Sequence, residues 1–414
     1  MKGIRVQRHL AINSVFIYLA LFCVSSFALL ERVTVSIGAF SPIKLQLMYA
    51  GFLCILTQIK TLIRCLLKKK YFFVLLSVAL FCVLLCISMV ANRNSALGIP
   101  LYNTVRLLLY LVELFVLMVI LAETGRVQGA LSFLFWYTLL IVVVNDVLMF
   151  TKLITFGTER HESYLVGTKF DVSYLHMALL TLWVMCYAKN RKRMRIKRWL
   201  VILGTLFIVM VAIRTNCMTG LLGCTILGVM FTLLESPKGK LLVRLASPGL
   251  LVVVIVASVI FIFIVEAIVS IPMIEYFIEN VLNRDSSITG RTNIYGDFAV
   301  QMSGHWMQGY GFGHGDEMAM VLFGYLNVQN GLLQWVMEVG LLGTSGLLIL
   351  LVQIFRQLKR RDIGRKLQAM PIVLLVYLYI VLATVEITFN MAFILWFAII
   401  FVMITERKTS ALAG

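Results

Sequence analysis

Runs of about twenty apolar residues recur along almost the whole chain, and only the segment between residues 271 and 330 interrupts them at length. A helix in a bilayer closes its backbone hydrogen bonds internally and needs about 20 apolar residues to cross the hydrocarbon core. Runs of this kind fall at roughly 10–30, 43–59, 71–91, 104–122, 130–150, 172–188, 199–213, 217–234, 249–270, 331–355, 370–388 and 390–405. The pattern predicts an all-α, polytopic membrane protein of about twelve spans. Nine fall within 1–270, one large extracytoplasmic loop fills 271–330, and three spans with a cytoplasmic tail occupy 331–414. Composition agrees: 61% of residues are hydrophobic and 14% charged, far from the balance of a soluble domain.

The formal net charge of +18 would suit a nucleic-acid binder, but its distribution does not. Lysines and arginines cluster in short segments between the apolar runs. With the N-terminus inside, 27 of the 37 fall on the inner side, mainly at 2–8, 60–70, 189–198, 238–244 and 356–366. That is the bias of membrane topology. Both termini are therefore expected in the cytoplasm and the long loop outside, with no nucleic-acid partner. The first run follows Lys2, Arg5 and Arg8 and is long for a signal-peptide core, so it reads as an uncleaved span.

All eight cysteines lie in or beside apolar runs, without CxxC spacing or a neighbouring histidine. They read as packing residues, and neither a metal site nor a disulfide framework is indicated. P-loop, HExxH and GxSxG motifs are absent, and GYGFGHG fails the dinucleotide spacing. No cofactor is expected.

The long loop is where polar chemistry can sit. Ile271–Leu282 reads as an amphipathic helix lying at the outer interface. Ser286, Ser287 and Thr289 offer N-caps to a second helix ending near Met302, with Ile294, Tyr295, Phe298 and Met302 on one face. Gly309, Gly311, Gly313 and Gly315 then break regular structure and permit positive φ. Arg291 opens the second helix, where a guanidinium beside free N–H groups makes an anion site or a solvated surface residue. Arg214, at an outer span end, is placed for headgroup contact or capture of an anion. Acids within runs (Glu113, Asp146, Glu266, Glu338, Glu386) must face the bundle interior or water; the last three could pair with Arg214 or Arg291 or mark an ion path. A smaller outer loop, 151–171, carries Glu159, Arg160, His161 and Glu162 and reads as a solvated connection.

The order of these pieces resembles the superfamily of O-antigen ligases and polysaccharide polymerases, which carry many spans and one large late external loop. The resemblance rests on Thr289-Gly290-Arg291, on the stretch from His305 through Gly309, Tyr310, Gly311, Phe312 and Gly313, and on Gln329-Asn330-Gly331 leading to Glu338, Gly340 and Gly343. It covers about 55 residues closely. Two positions depart from it. Gln329 stands where ligase-type members have a histidine, and Met218, in Cys217–Leu222, stands where an arginine is usual; Arg214 lies one helical turn earlier. Both departures fit a repeat-unit polymerase better than a ligase.

The resemblance implies a donor glycan on a polyprenyl diphosphate, attacked at its anomeric carbon by an acceptor hydroxyl. It implies membrane lipid, a flippase and a chain-length regulator as further partners, and no metal. Diphosphate is a good leaving group, so the site mainly needs fixed positive charge. Arg291 and Arg214 are the expected diphosphate ligands and His314 the expected base, with His305 as the second choice. Asn330, Gln329, Gly309, Gly311, His305 and Glu338 are expected to shape the substrate site. The expectation is thus a glycosyltransferase of a bacterial cytoplasmic membrane, polymerising lipid-linked repeats on the outer face. The alternatives are a ligase acting on a lipid or protein acceptor, and a lipid-linked oligosaccharide flippase or ion-coupled transporter; the sequence shows neither the related halves nor the interrupted helices usual in transporters.

Overall fold

In the computed structural model, the fold is built mainly from long apolar helices. The structure describes residues 2–30, 41–66, 68–95, 98–152, 156–158, 161–187, 194–234, 239–269, 271–276, 280 and 291–406. Helix order is α1 (Lys2–Leu29), α2 (Ser41–Leu56), α3 (Ile59–Leu66), α4 (Lys69–Ala91), α5 (Leu101–Thr124), α6 (Val127–Thr151), α7 (Lys169–Tyr187), α8 (Met194–Arg214) and α9 (Met218–Leu234). There follow α10 (Gly239–Leu242), α11 (Pro248–Val269), α12 (Pro272–Tyr276), α13 (Arg291–Gln301), α14 (Gly315–Phe323), α15 (Gly331–Lys359), α16 (Ile363–Leu382) and α17 (Met391–Thr405). The expectation of an all-α chain needs one amendment. A short antiparallel hairpin pairs Phe156–Thr158 with His161–Ser163 inside the smaller loop.

Helix α4 shows why these helices belong in a membrane. Tyr71, Val74, Val78, Phe81 and Leu85 are buried, and Phe72, Phe73, Leu76, Leu80, Val83 and Ile87 are exposed. Both sets recur every three or four residues, so two apolar stripes run down opposite sides of one helix. The inner stripe packs on α15, the most extensive helix pairing in the fold, with Phe81 against Trp335. The outer stripe has only lipid to face, because water would penalise a continuous apolar column.

Among the described residues, five helices (α4, α5, α6, α15 and α16) are long and apolar enough to cross a membrane, and the number rises to seven if each of two bent pairs is one span. The protein is a helical, multi-pass membrane protein. In one pair, Ile43–Leu56 meets Ile59–Cys65 at 71°, inside the expected span 43–59. In the other, Lys240–Ala246 meets Pro248–Phe261 at 74°. There Pro248 starts the second helix, a position that tolerates its missing N–H while the preceding residue is driven extended. Near the C-terminus the expected span 370–388 ends early: α16 stops at Leu382, and Thr388 and Asn390 belong to the turn into α17. The turn is held by the Thr388 hydroxyl on the Tyr379 carbonyl (2.6 Å) and by Trp335 Nε1 on the Phe389 carbonyl (2.5 Å).

Candidate functional site

The long loop docks on the first turns of α15. The stripe expected on the second loop helix exists: Ile294, Phe298 and Met302 are buried against Ala319 of α14 and against Val328, Val336 and Met337. Tyr295 donates its hydroxyl to the carbonyls of Gln329 and Thr384 (both 3.3 Å). Helix α14 does not appear among the sequence expectations. Its signal was Asp316 and Glu317 in a first turn, where acids favour a helix N-terminus. Of the amphipathic helix expected over Ile271–Leu282, α12 accounts for 272–276; the remainder is largely outside the described residues, as are Ser286, Ser287 and Thr289.

Helix α15 is broken at Gly340, whose φ of 67° and ψ of −176° are not helical. In a continuous helix the Leu341 and Leu342 amides would donate to the Met337 and Glu338 carbonyls. Here the glycine loop intervenes. Tyr310 N donates to Met337 O (2.7 Å) and Gly311 N to Glu338 O (2.8 Å), while Leu341 N donates to Trp306 O (2.8 Å) and Leu342 N to Met307 O (3.2 Å). No backbone group freed at those four positions is left unpaired, the condition under which irregular backbone survives near a bilayer. The next loop carbonyl, Gln308 O, accepts from Ser88 Oγ (2.5 Å) and Asn92 Nδ2 (3.4 Å) at the end of α4. Gly309, Gly311 and Gly313 have the expected positive φ, whereas Gly315 opens α14. Beyond the break, residues 341–359 measure about 28 Å at 1.5 Å per residue, close to the hydrocarbon thickness. That leaves the turns before it level with the loop.

A polar cluster forms where loop and broken helix meet. Glu338 accepts from Gln334 Nε2 (3.1 Å) and from the Gly313 amide (3.1 Å). Gln334, itself buried, also reaches Asp316 Oδ1 (3.3 Å) and accepts from Val328 N (3.3 Å). A side chain on Gly315 would strike Gln334 Nε2 and Glu338 Oε1, so the residues on both sides of His314 border this carboxylate. His314 is 8% exposed and its Nδ1 is buried without a hydrogen-bond partner. Gly313 and Asp316 are exposed, which opens the cluster to solvent on one side.

The other expected residues are placed as follows. Asn330 is buried and caps α15: its Oδ1 accepts from Leu332 N (3.0 Å) and Leu333 N (2.9 Å), and its Nδ2 donates to Thr384 O (3.1 Å). Its side chain is thus committed to the start of α15 and to the turn after α16. Gln329 adopts φ 54° and its amide donates to Asn327 Oδ1 (2.9 Å). His305 stacks on Tyr310, with ring centroids 4.1 Å apart, and shapes the turn. Burial pushes the Tyr310 phenol above its ordinary pKa, and its hydroxyl donates to Gln301 O (2.6 Å). Arg291 is the first residue of α13; its side chain is outside the described residues. Arg214 ends α8 exposed, and α8 packs on α7 and α9, so the structure does not bring it into the His314 cluster.

Two arrangements escaped the sequence reading. Arg106 lies one turn below Asn103, whose side chain crowds Gly313. Its guanidinium lies over the rings of Phe27 (5.4 Å) and Tyr102 (5.7 Å), and its Nε is buried without a partner. The signal was a lone arginine inside an apolar run. Separately, buried His176 meets Asp146 Oδ2 (3.0 Å) through Nε2 and the Val172 carbonyl (2.8 Å) through Nδ1. A carbonyl only accepts, so Nδ1 carries a hydrogen, and histidine and carboxyl share one more proton between them. This provides the partner that an acid within a span requires.

Among the described residues, no three His, Cys, Asp or Glu side chains gather as metal ligands. Comparison of the chain with protein-family models, curated proteins and solved structures finds no match.

Proposed function

We propose that the protein is a polysaccharide repeat-unit polymerase, joining polyprenyl-diphosphate-linked oligosaccharides at the loop side of a bacterial cytoplasmic membrane. In this reading about twelve spans cross the membrane and both termini are cytoplasmic. The observation that carries it is the unpartnered Nδ1 of His314 between Gly313, whose amide donates to the Glu338 carboxylate, and Gly315, which borders it, in a loop fastened to a broken span. An acceptor hydroxyl approaching over Gly313 would give its proton to His314 while Glu338 orients it. The new glycosidic bond forms at the anomeric carbon of the donor, and the bond to the diphosphate breaks with its electrons staying on the diphosphate oxygen. That centre is oxocarbenium-like and tolerates a weak base. Arginines hold the growing charge on the leaving group. Arg291 begins the helix that packs against this site, and Arg106 supplies a second cation on the helix that Gly313 touches; Arg214 would serve at the membrane edge.

The test is glycan length in cells carrying His314→Ala or Arg291→Ala, beside wild-type and deletion strains, with insertion of each variant confirmed. Collapse to single repeats with normal insertion supports polymerisation. Polymer of unchanged length in both variants removes it.

The break at Gly340 favours a second reading, because interrupted helices mark the sites of many transporters. Against it, the four backbone groups noted at the break are occupied by the loop rather than free for an ion. Undecorated lipid-linked repeats trapped on the inner leaflet in the deletion strain would move the assignment to transport.

A further inference from the structure

At the far end of α15, about 24 Å from Gly340 by helix rise, lies a cavity of about 470 Å³ between α15 and the start of α4. Lys69, Lys70, Arg356, Arg360 and Arg361 line it, and no acid does. Lys70 is neutralised from another side by Glu123 (2.8 Å). Lys69, Arg356, Arg360 and Arg361 form no ion pair among the described residues. Two lining residues also carry a buried polar atom without a partner, Arg361 Nε and Gln357 Oε1. Burial, and then the neighbouring Arg365, push the Arg361 guanidinium below its ordinary pKa, the situation an anion would relieve.

The topological charge bias and the dipole at a helix C-terminus both draw cations to this end. Neither accounts for a cavity walled by them, with unsatisfied polar atoms in its lining. From the mouth, Phe73, Leu76 and Leu80 form an exposed apolar column down α4. A cationic cup continuous with such a column matches a phosphate group attached to an acyl chain. The geometry points to a phosphate-binding site here, filled by the headgroup of an anionic phospholipid. The site is separate from the loop and independent of the polymerase reading.

The test uses the full-length protein in neutral detergent, exposed to phosphatidylcholine vesicles with and without phosphatidylglycerol and read by native mass spectrometry. Wild type should retain phosphatidylglycerol. The triple variant Arg356→Gln/Arg360→Gln/Arg361→Gln should bind it at least tenfold more weakly, since each cation near a membrane surface contributes on the order of fivefold. The control Lys240→Gln/Arg244→Gln should bind as wild type does. Exposed Arg356→Gln alone gives a smaller loss in the same direction if the triple variant misfolds. A second arm adds millimolar inorganic phosphate: displacement of the lipid keeps the phosphate chemistry but assigns a soluble source. Equal retention by wild type and the arginine variants, or equal loss in the control, overturns the proposal.

Discussion

Gly309 and Gly340 cross face to face. A methyl group on Gly309 would sit 2.5 Å from the Gly340 amide nitrogen and 2.7 Å from the Glu338 carbonyl oxygen, while one on Gly340 would land on the Met307 carbonyl. Both residues hold positive φ, 68° and 67°. Loop and broken helix approach this closely only because neither carries a side chain at the crossing.

Gly309→Ala and Gly340→Ala should each destabilise the loop. Left-handed backbone costs a residue with a side chain about 1–3 kcal/mol, and the backbone must also separate. The double variant should lose less than the sum, since the first substitution already opens the contact. Thermal unfolding in detergent, with protease mapping of the loop, checks this; unchanged melting in both single variants would contradict the crossing.

Replacement of Asn330 separates a cap from a substrate contact. Asn330→Ala should lower helix stability by about 0.5–2 kcal/mol. Asn330→Asp should retain the cap and lose only the bond to Thr384. If Asn330 acts through α15, the Asp variant makes polymer of near-normal length. Polymer lost in a stably folded Asp variant would point instead to direct contact with substrate.

The two loop histidines should behave differently. If His314 is the base proposed above, His314→Gln should slow polymerisation by the 10²–10⁴-fold typical of a general base. His305→Phe keeps a ring stacked on Tyr310 and should leave the rate within severalfold of wild type. A rate assay on membranes with synthetic lipid-linked repeats decides between them. Equal losses would reassign His314 to structure.

Deleting one partner of the Asp146–His176 pair should cost more than replacing it. Asp146→Ala leaves a buried imidazole nitrogen unsatisfied, at about 1–3 kcal/mol. Asp146→Asn still offers an acceptor and should cost less. Melting temperatures of the two variants provide the comparison, and a reversed order would mean the pair is not bonded as described.

The helices were legible because apolar runs need no periodicity to be read, and α13 because Ile294, Phe298 and Met302 repeat at helical spacing. The break was not. Gly340 sits in VMEVGLLG, an apolar stretch that continues on both sides, and what opens the helix there is a contact with Met307 from a distant part of the chain. The Asp146–His176 pair was half-legible: the acid demanded a partner, but only the packing of α6 on α7 could say which. Asn330 carried a plain N-cap signal ahead of an apolar run, which the sequence reading left unused. Arg106 went unweighed because it opens a run that reads as lipid-facing, whereas Asn103 and Pro100 bring that end of α5 against the glycine loop.

If the protein is a polymerase, the loop's four hydrogen bonds into α15 also bear on how a lipid-borne substrate would arrive. Lifting the loop would strand four backbone groups at the edge of a medium that offers them no water, at several kcal/mol for each group in hydrocarbon. These bonds favour a loop that stays seated on α15 as a fixed wall of the site. On the polymerase reading, a lipid-borne donor would then enter sideways, from the lipid between the helices toward exposed Gly313 and Asp316.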